Sequence, residues 1–234
     1  VTKEQQEQFA SESVDESIVD YSNTVIYSSA RNAYIVPRMK RMMNRTVWAM
    51  TKQLRKGSFK PEGYEVSFGS GKIDRIDTCE TEDQVYVKIL DYKTGAKSFD
   101  MAAFYHGLQM QLVVYMEEAV RLEERKHPGK KIVPAGIFYY RMKDPIVGKE
   151  LDEEKLEEAI LKELRLDGII RQEDAVIQRL DADFSGNSLV IPAGKTKSGY
   201  SKASKMLLPE EFDAVLTYAE KRRTDLQGAM YRGK

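Results

Sequence analysis

Several things are scarce in this 234-residue chain, and each scarcity excludes something. There is one cysteine, Cys79. No internal disulfide and no all-cysteine metal cluster can therefore form within one copy, which favours a reducing, cytoplasmic setting. There are two histidines: His106 has no metal-ligating residue at helical spacing and His127 precedes Pro128-Gly129 in a turn, so a histidine metal centre is not expected. No apolar run is long enough to cross a bilayer. The polar start VTKEQQEQFASESVDES is unlike a secretory signal. Because the chain begins with Val, a processed product or an excised piece is expected. Acidic residues are missing from Tyr21 to Lys60, a stretch with nine basic ones: Arg31, Arg38, Lys40, Arg41, Arg45, Lys52, Arg55, Lys56 and Lys60. The whole chain is nevertheless neutral, with 37 Lys+Arg against 37 Asp+Glu, so the acid collects elsewhere, notably in Glu150–Glu158. A basic segment in a neutral protein is either a polyanion footprint, with Arg41, Arg45 and Lys52 as candidate DNA contacts, or a solvated helix face.

A hydrophobic content of 41% and a charged content of 32% describe a globular chain with a heavily charged surface. Residues 23–56 read as helical, broken at Pro37, with Met43, Val47, Met50 and Leu54 as the buried stripe. Three strand-like stretches follow on short connections: Tyr64–Phe68, Lys72–Asp77 and Gln84–Tyr92. An antiparallel meander is the simplest arrangement for them. A helix from about Met101 to Glu124 is predicted next, with Leu108, Leu112, Tyr115 and Ala119 inward. Ile132–Tyr140 is a further strand, placed at an edge or a start by Pro134, and reached through a crossover that permits parallel pairing. The remainder reads as elaboration. Asp152 caps a helix built on Leu156, Ile160 and either Leu164 or Leu161 that ends before Gly168. Ser188–Ile191 is a short strand, Gly194–Lys205 a basic loop, and Pro209 opens a last helix with Phe212, Val215, Leu216 and Ala219 inward. This is an α/β chain of one domain over 1–234, with a core at about 23–142 and an elaboration at about 143–234.

The chemistry concentrates in Gly71-Lys72-Ile73-Asp74 and in the apolar run Val85–Leu90 that ends in Asp91-Tyr92-Lys93. Strand alternation puts Asp91 and Lys93 on one face. Asp74 can come from the preceding strand. Two carboxylates, with the backbone carbonyl of Tyr92 as a third oxygen, suit a magnesium or manganese ion, and Lys93 suits a water nucleophile and a scissile phosphate. Glu65, on the first strand, is a further candidate ligand, directly or through water. Gln111 and Tyr115 share a helix face and can approach DNA or brace the site. Two phosphate-loop lookalikes fail: Gly194-Lys195-Thr196 has Leu189 where a glycine is required, and Ile73 follows Lys72. Cys79, in a polar turn, is expected to be a free thiol.

The ordered set Glu65, Gly71-x-x-Asp74, Asp91-Tyr92-Lys93 and Gln111-x-x-x-Tyr115 resembles the RecB-type branch of the PD-(D/E)XK nucleases. GKIDRID, ILDYKTG, YHGLQMQLVVYM, AGIFYY, LDGII and SLVIPAGK look like the C-terminal nuclease domains of AddB proteins, from about Tyr27 onward. The resemblance implies a restriction-endonuclease-like fold: a mixed central sheet with an antiparallel three-strand meander flanked by helices. It also implies a magnesium-dependent deoxyribonuclease with Asp74, Asp91 and Lys93 catalytic. By the same resemblance the chain acts as an exonuclease on single-stranded ends of unwound duplex, in double-strand break repair by recombination, beside an AddA-like helicase–nuclease. Two features depart from the family: no histidine precedes His106, and AddB proteins hold an iron–sulfur cluster on four cysteines that Cys79 does not match. The expectation is that those residues lie beyond the ends of this chain. Other readings are a stand-alone RecB-like exonuclease, a restriction-type endonuclease, and a non-catalytic DNA-binding or scaffolding module.

Overall fold

A computed structural model describes residues 2–20, 29, 34–69, 71–147 and 152–231. The chain divides into two compact units, Val1–Arg55 with Met142–Leu164, and Lys56–Arg141 with Arg165–Lys234. These cut across the expected core and elaboration. The reason is non-local. Lys52 pairs with Glu157, Arg41 and Arg45 approach Asp144, and the Gln53 amide donates to the Leu164 carbonyl, so Met142–Leu164 belongs with the N-terminal helices.

The first unit contains α1 (Lys3–Asp20) and α2 (Ile35–Arg55). Helix α1 was not anticipated in so polar a stretch, although Ala10, Val14 and Ile18, each buried, recur every fourth residue. Val14 and Ile18 pack with Val36, and Met43 leans on them. Pro37 does not break α2. It falls in the first turn, where a missing N–H costs nothing. The buried stripe of α2 is also rotated from the expected one: Thr46, Ala49, Met50 and Gln53 are inward, while Met43, Val47 and Leu54 are half-buried. Buried Gln53 is tolerated because it is hydrogen-bonded. The expected helical stretch before Tyr34, with Arg31, lies outside the described residues except for Ser29, a bend.

The second unit is built on a sheet. Its early strands are β1 (Lys60–Phe68), β2 (Gly71–Glu80) and β3 (Gln84–Lys93), an antiparallel meander. A crossover through α3 (Met101–Tyr105) and α4 (Gln111–Lys126) leads to β4 (Lys131–Arg141), parallel to β3. The expected single helix is thus two. Gly107 adopts a left-handed φ of 77° between them, and Leu108, assigned inward, is 77% exposed. Nor is β4 an edge strand. In the sheet the order β1-β2-β3-β4 is continued by two later strands, Asp167–Arg171 and then Met206–Leu207, and Pro134 is accommodated at a register shift beside Val87.

After α5 (Glu153–Glu163, first unit), capped by Asp152, come β5 (Asp167–Arg171), α6 (Asp174–Leu180), a small hairpin of β6 (Lys195–Thr196) and β7 (Gly199–Tyr200), β8 (Met206–Leu207) and α7 (Pro209–Tyr231). Leu164 caps α5, so the helix ends before Gly168 as expected. Gly168 lies in β5, where a Cβ would collide with the Ile137 carbonyl oxygen. Ser188–Ile191 is irregular rather than a strand, but it is ordered by the buried Ser188 hydroxyl, which accepts from the N–H groups of Val190 and Ile191 and donates to Asp181. Cys79 is not in a turn; it is a buried residue of β2 opposite Tyr86. Among the described residues no helix is long and apolar enough to cross a membrane.

One sheet face carries Val85, Val87, Ile89, Ile137 and Tyr139 and packs on Leu112, Val113, Met116 and Ala119 of α4. Helix α7 adds Phe212 and Ala219. Between α4 and α7 is a costly group: Glu117 is buried, with neither oxygen hydrogen-bonded and Arg223 3.3 Å away. Burial outweighs that cation and pushes the Glu117 carboxyl up to about 7 from 4.5. The folded state then keeps a proton that the unfolded chain releases, so this group erodes stability as pH rises from about 4.5 to about 7. Glu117→Gln should raise the unfolding free energy at about pH 8 by an amount on the order of 2 kcal/mol, with a higher melting midpoint, and leave both little changed near pH 4. Thermal melts across that range test this. An unaltered alkaline midpoint would mean that Arg223 already neutralises the group.

Candidate active site

The site grows out of register. On β3 the run Val85, Val87, Ile89, Asp91 and Lys93 points to the α4 face, apolar until its last two members. Asp91 is paired with Tyr139 of β4, and Tyr139 with Asp167 of β5. On the other side, Asp74 lies one step past the last β2–β3 pair, Arg75–Leu90, and so faces Asp91. Glu65 falls opposite Asp74, between the pairs Tyr64–Arg75 and Val66–Ile73. One row therefore crosses five strands: Glu65, Asp74, Asp91, Tyr139, Asp167.

Within that row the structure brings together Asp74, Asp91, Lys93, Gln111 and Tyr115. The Tyr92 N–H donates to Asp74 Oδ2 at 2.8 Å, which holds the β2 carboxylate at the end of β3. Asp91, 1% exposed, forms an ion pair with Lys93 at 2.5 Å. Gln111, the first residue of α4, ties them together. Its amide nitrogen donates to Asp91 Oδ1 and to the Tyr115 hydroxyl, both at 2.9 Å, and its oxygen accepts from Lys93 at 3.3 Å. Tyr115 is held in turn against Phe68, edge to face at 5.5 Å. Burial raises the Asp91 carboxyl above its ordinary range, Lys93 opposes that, and the Asp74 charge adds to it. Two facing carboxylates beside a backbone carbonyl are hard oxygen donors. They fit a small divalent cation, which would relieve the repulsion between them.

Glu65 is not drawn into this set. Its backbone has a left-handed φ of 51°, and its exposed carboxylate pairs with Lys72 at 2.9 Å. Among the described residues no group of three His, Cys, Asp or Glu side chains converges as a metal cluster. Arg41, Arg45 and Lys52 belong to the first unit and face Asp144 and Glu157 there, so each basic charge has a carboxylate beside it. Sequence reasoning passed over Tyr139, Asp167 and Lys97. The first two are members of the row, visible only once strand order is known.

The opposite face holds β2 and β3 in place. Asp77, fully buried, accepts two hydrogen bonds from Arg75, at 2.5 and 2.7 Å, and lies 3.3 Å from Lys88. Arg75 also donates to the Tyr92 hydroxyl at 3.3 Å. Burial lowers the Lys88 ammonium against the pull of Asp77. Removing one partner from such a buried network typically costs about 3–5 kcal/mol, and here it would loosen the strand ends that present Asp74 and Asp91.

A family model described as the PD-(D/E)XK nuclease superfamily matches residues 1–226. The chain belongs to the PD-(D/E)XK nuclease superfamily. Nucleases of this superfamily generally use divalent metal ions, and the mixed six-stranded sheet with flanking helices is consistent with its restriction-endonuclease-like fold. Among curated relatives, the B-type component of an ATP-dependent helicase/deoxyribonuclease from Alkaliphilus metalliredigens is 34% identical over 100% of this chain and 22% of its own length. Proteins of the same name from Lachnoclostridium phytofermentans and Clostridium acetobutylicum are 37% and 35% identical, each over 88% of this chain and about a fifth of their own length. The chain thus spans about a fifth of the relatives it matches.

Proposed function

We propose that this chain is a magnesium- or manganese-dependent deoxyribonuclease domain that hydrolyses phosphodiester bonds in single-stranded ends of unwound duplex, with an AddA-like helicase–nuclease partner, in cytoplasmic double-strand break repair. The observation that carries the reading is the meeting of Asp74 and Asp91 at facing strand ends with Lys93 and Gln111 on them. The helicase/deoxyribonuclease relatives support the substrate, partner and pathway.

In this reading Asp74, Asp91 and the Tyr92 carbonyl hold the cation. When bound it would supply Lewis-acid charge to the phosphate and lower the pKa of a water. Lys93 orients the attacking water and offsets the negative charge that grows on the phosphorane as the water oxygen bonds to phosphorus and the bridging P–O bond breaks. Gln111 keeps Asp91 and Lys93 in their relative positions, and Tyr115 backs Gln111. Glu65 has no part in the proposed ligand set. The four-cysteine iron–sulfur cluster that the resemblance implies does not fit this chain, whose one cysteine is buried in the β2–β3 ladder.

The test is cleavage of end-labelled single-stranded DNA by the 234-residue chain, with magnesium, manganese or chelator. Metal-dependent shortening of linear but not of closed circular strands is expected. Cutting of closed circles would favour an endonuclease. Metal-insensitive DNA binding with no cleavage would leave a non-catalytic binding module.

A further inference from the structure

We propose that Lys97 is a second phosphate-contacting cation of this site, holding a DNA backbone phosphate beside the one that is cut; this rests on the nuclease reading above. Lys97 lies in the loop between β3 and α3 and is exposed, yet its ammonium returns over the Tyr139 ring, 5.3 Å from the centre. Tyr139 is fully buried and is the register neighbour of Asp91. The Lys93 ammonium approaches the same ring at 5.6 Å.

Two like charges on one ring repel unless anions are present. Lys93 has Asp91. The next carboxylate in the row, Asp167, is already taken: Lys205 pairs with one oxygen at 2.5 Å and the Phe99 N–H donates to the other at 3.2 Å. Among the described residues no carboxylate lies within ion-pair distance of Lys97. Its charge still reaches Asp91. Asp74 and Asp91 balance Lys93 and Lys97, so a divalent cation in the site would leave an excess of positive charge. A strand of phosphodiesters cancels that excess. The aromatic ring holds an otherwise mobile lysine in place before the anion arrives.

The experiment has a metal-free and a metal-loaded arm. In chelator, Lys97→Ala should weaken binding of a short single-stranded oligonucleotide about 5- to 10-fold and reduce the slope of log K against log salt by about 0.7. Lys97→Arg should retain most of both, and Lys221→Ala, which removes an exposed lysine on α7, should leave both unchanged. With metal, Lys97→Ala should raise KM by a similar factor and change kcat less than about 3-fold. Single neutral methylphosphonate linkages then locate the contact. One linkage near the cut should penalise the wild type and add nothing to Lys97→Ala. Identical methylphosphonate penalties in both proteins, or an unchanged salt slope, would overturn the proposal. If the chain cuts no DNA at all, the nuclease reading fails, while the chelator arm still decides whether Lys97 meets phosphate.

Discussion

Asp91→Asn is expected to abolish both metal binding and cleavage. Asp91 is nearly inaccessible, at 1% exposed, because it terminates a strand otherwise made of core residues. A carboxylate in that position is held there by charge: Lys93 on one oxygen and the Gln111 amide on the other. Asparagine keeps the size and the contact with Gln111 but removes the charge that draws a cation beside Asp74. Losing Lewis-acid activation is worth several kcal/mol, so a fall of about 10³-fold or more in single-turnover rate is expected. Manganese titration by calorimetry should show no tight site. Unchanged affinity in the variant would move the metal elsewhere and undo the assignment of Asp74 and Asp91.

Lys93→Ala is expected to keep the fold and DNA binding but to lose cleavage by about 100- to 1000-fold, the usual cost of one preorganised charge-stabilising group. A cationic side chain cannot ligate a cation, so its work lies with the water and the phosphorane. Its placement is tightly specified, by Asp91 at 2.5 Å, Gln111 at 3.3 Å and the Tyr139 ring at 5.6 Å. Lys93→Arg should therefore recover only part of the rate, because the broad guanidinium cannot occupy the point that an ammonium does. Single-turnover cleavage alongside chelator-arm binding separates the two effects. If Lys93→Ala cuts within a few-fold of the wild type, Lys93 is only the counterion of Asp91.

Legibility in the sequence followed the range of the interactions involved. The pairing of Asp91 with Lys93 follows from the two-residue period of a strand, and that of Gln111 with Tyr115 from the helical turn. Both are local rules, and the meander with its crossover to β4 follows from short connections and one long one. Errors arose where a residue's partner was distant in the chain. Gly168 read only as lying past a helix end, because nothing local announces the Ile137 carbonyl against it. Pro134 read as a start or an edge signal, and the edge alternative failed because the shift that accommodates it belongs to β3 as much as to β4. Leu108 read as a core residue because the helical period was carried through Gly107, whose positive φ breaks it.

By itself the sequence determined where the candidate groups fall: Asp74, Asp91 and Lys93 at strand ends, with Gln111 and Tyr115 one helical turn apart. Each of these is written in a short periodic stretch, where backbone geometry alone decides which side chains share a face. Only the tertiary structure decided what surrounds them. Strand order and register align Asp74 with Asp91 and put Tyr139 and Asp167 in the same row, while a left-handed backbone and Lys72 take Glu65 out of it and Lys97 lies over the Tyr139 ring. Those relations join residues tens of positions apart through backbone pairing and burial, and no periodicity in the chain encodes a distance between strands.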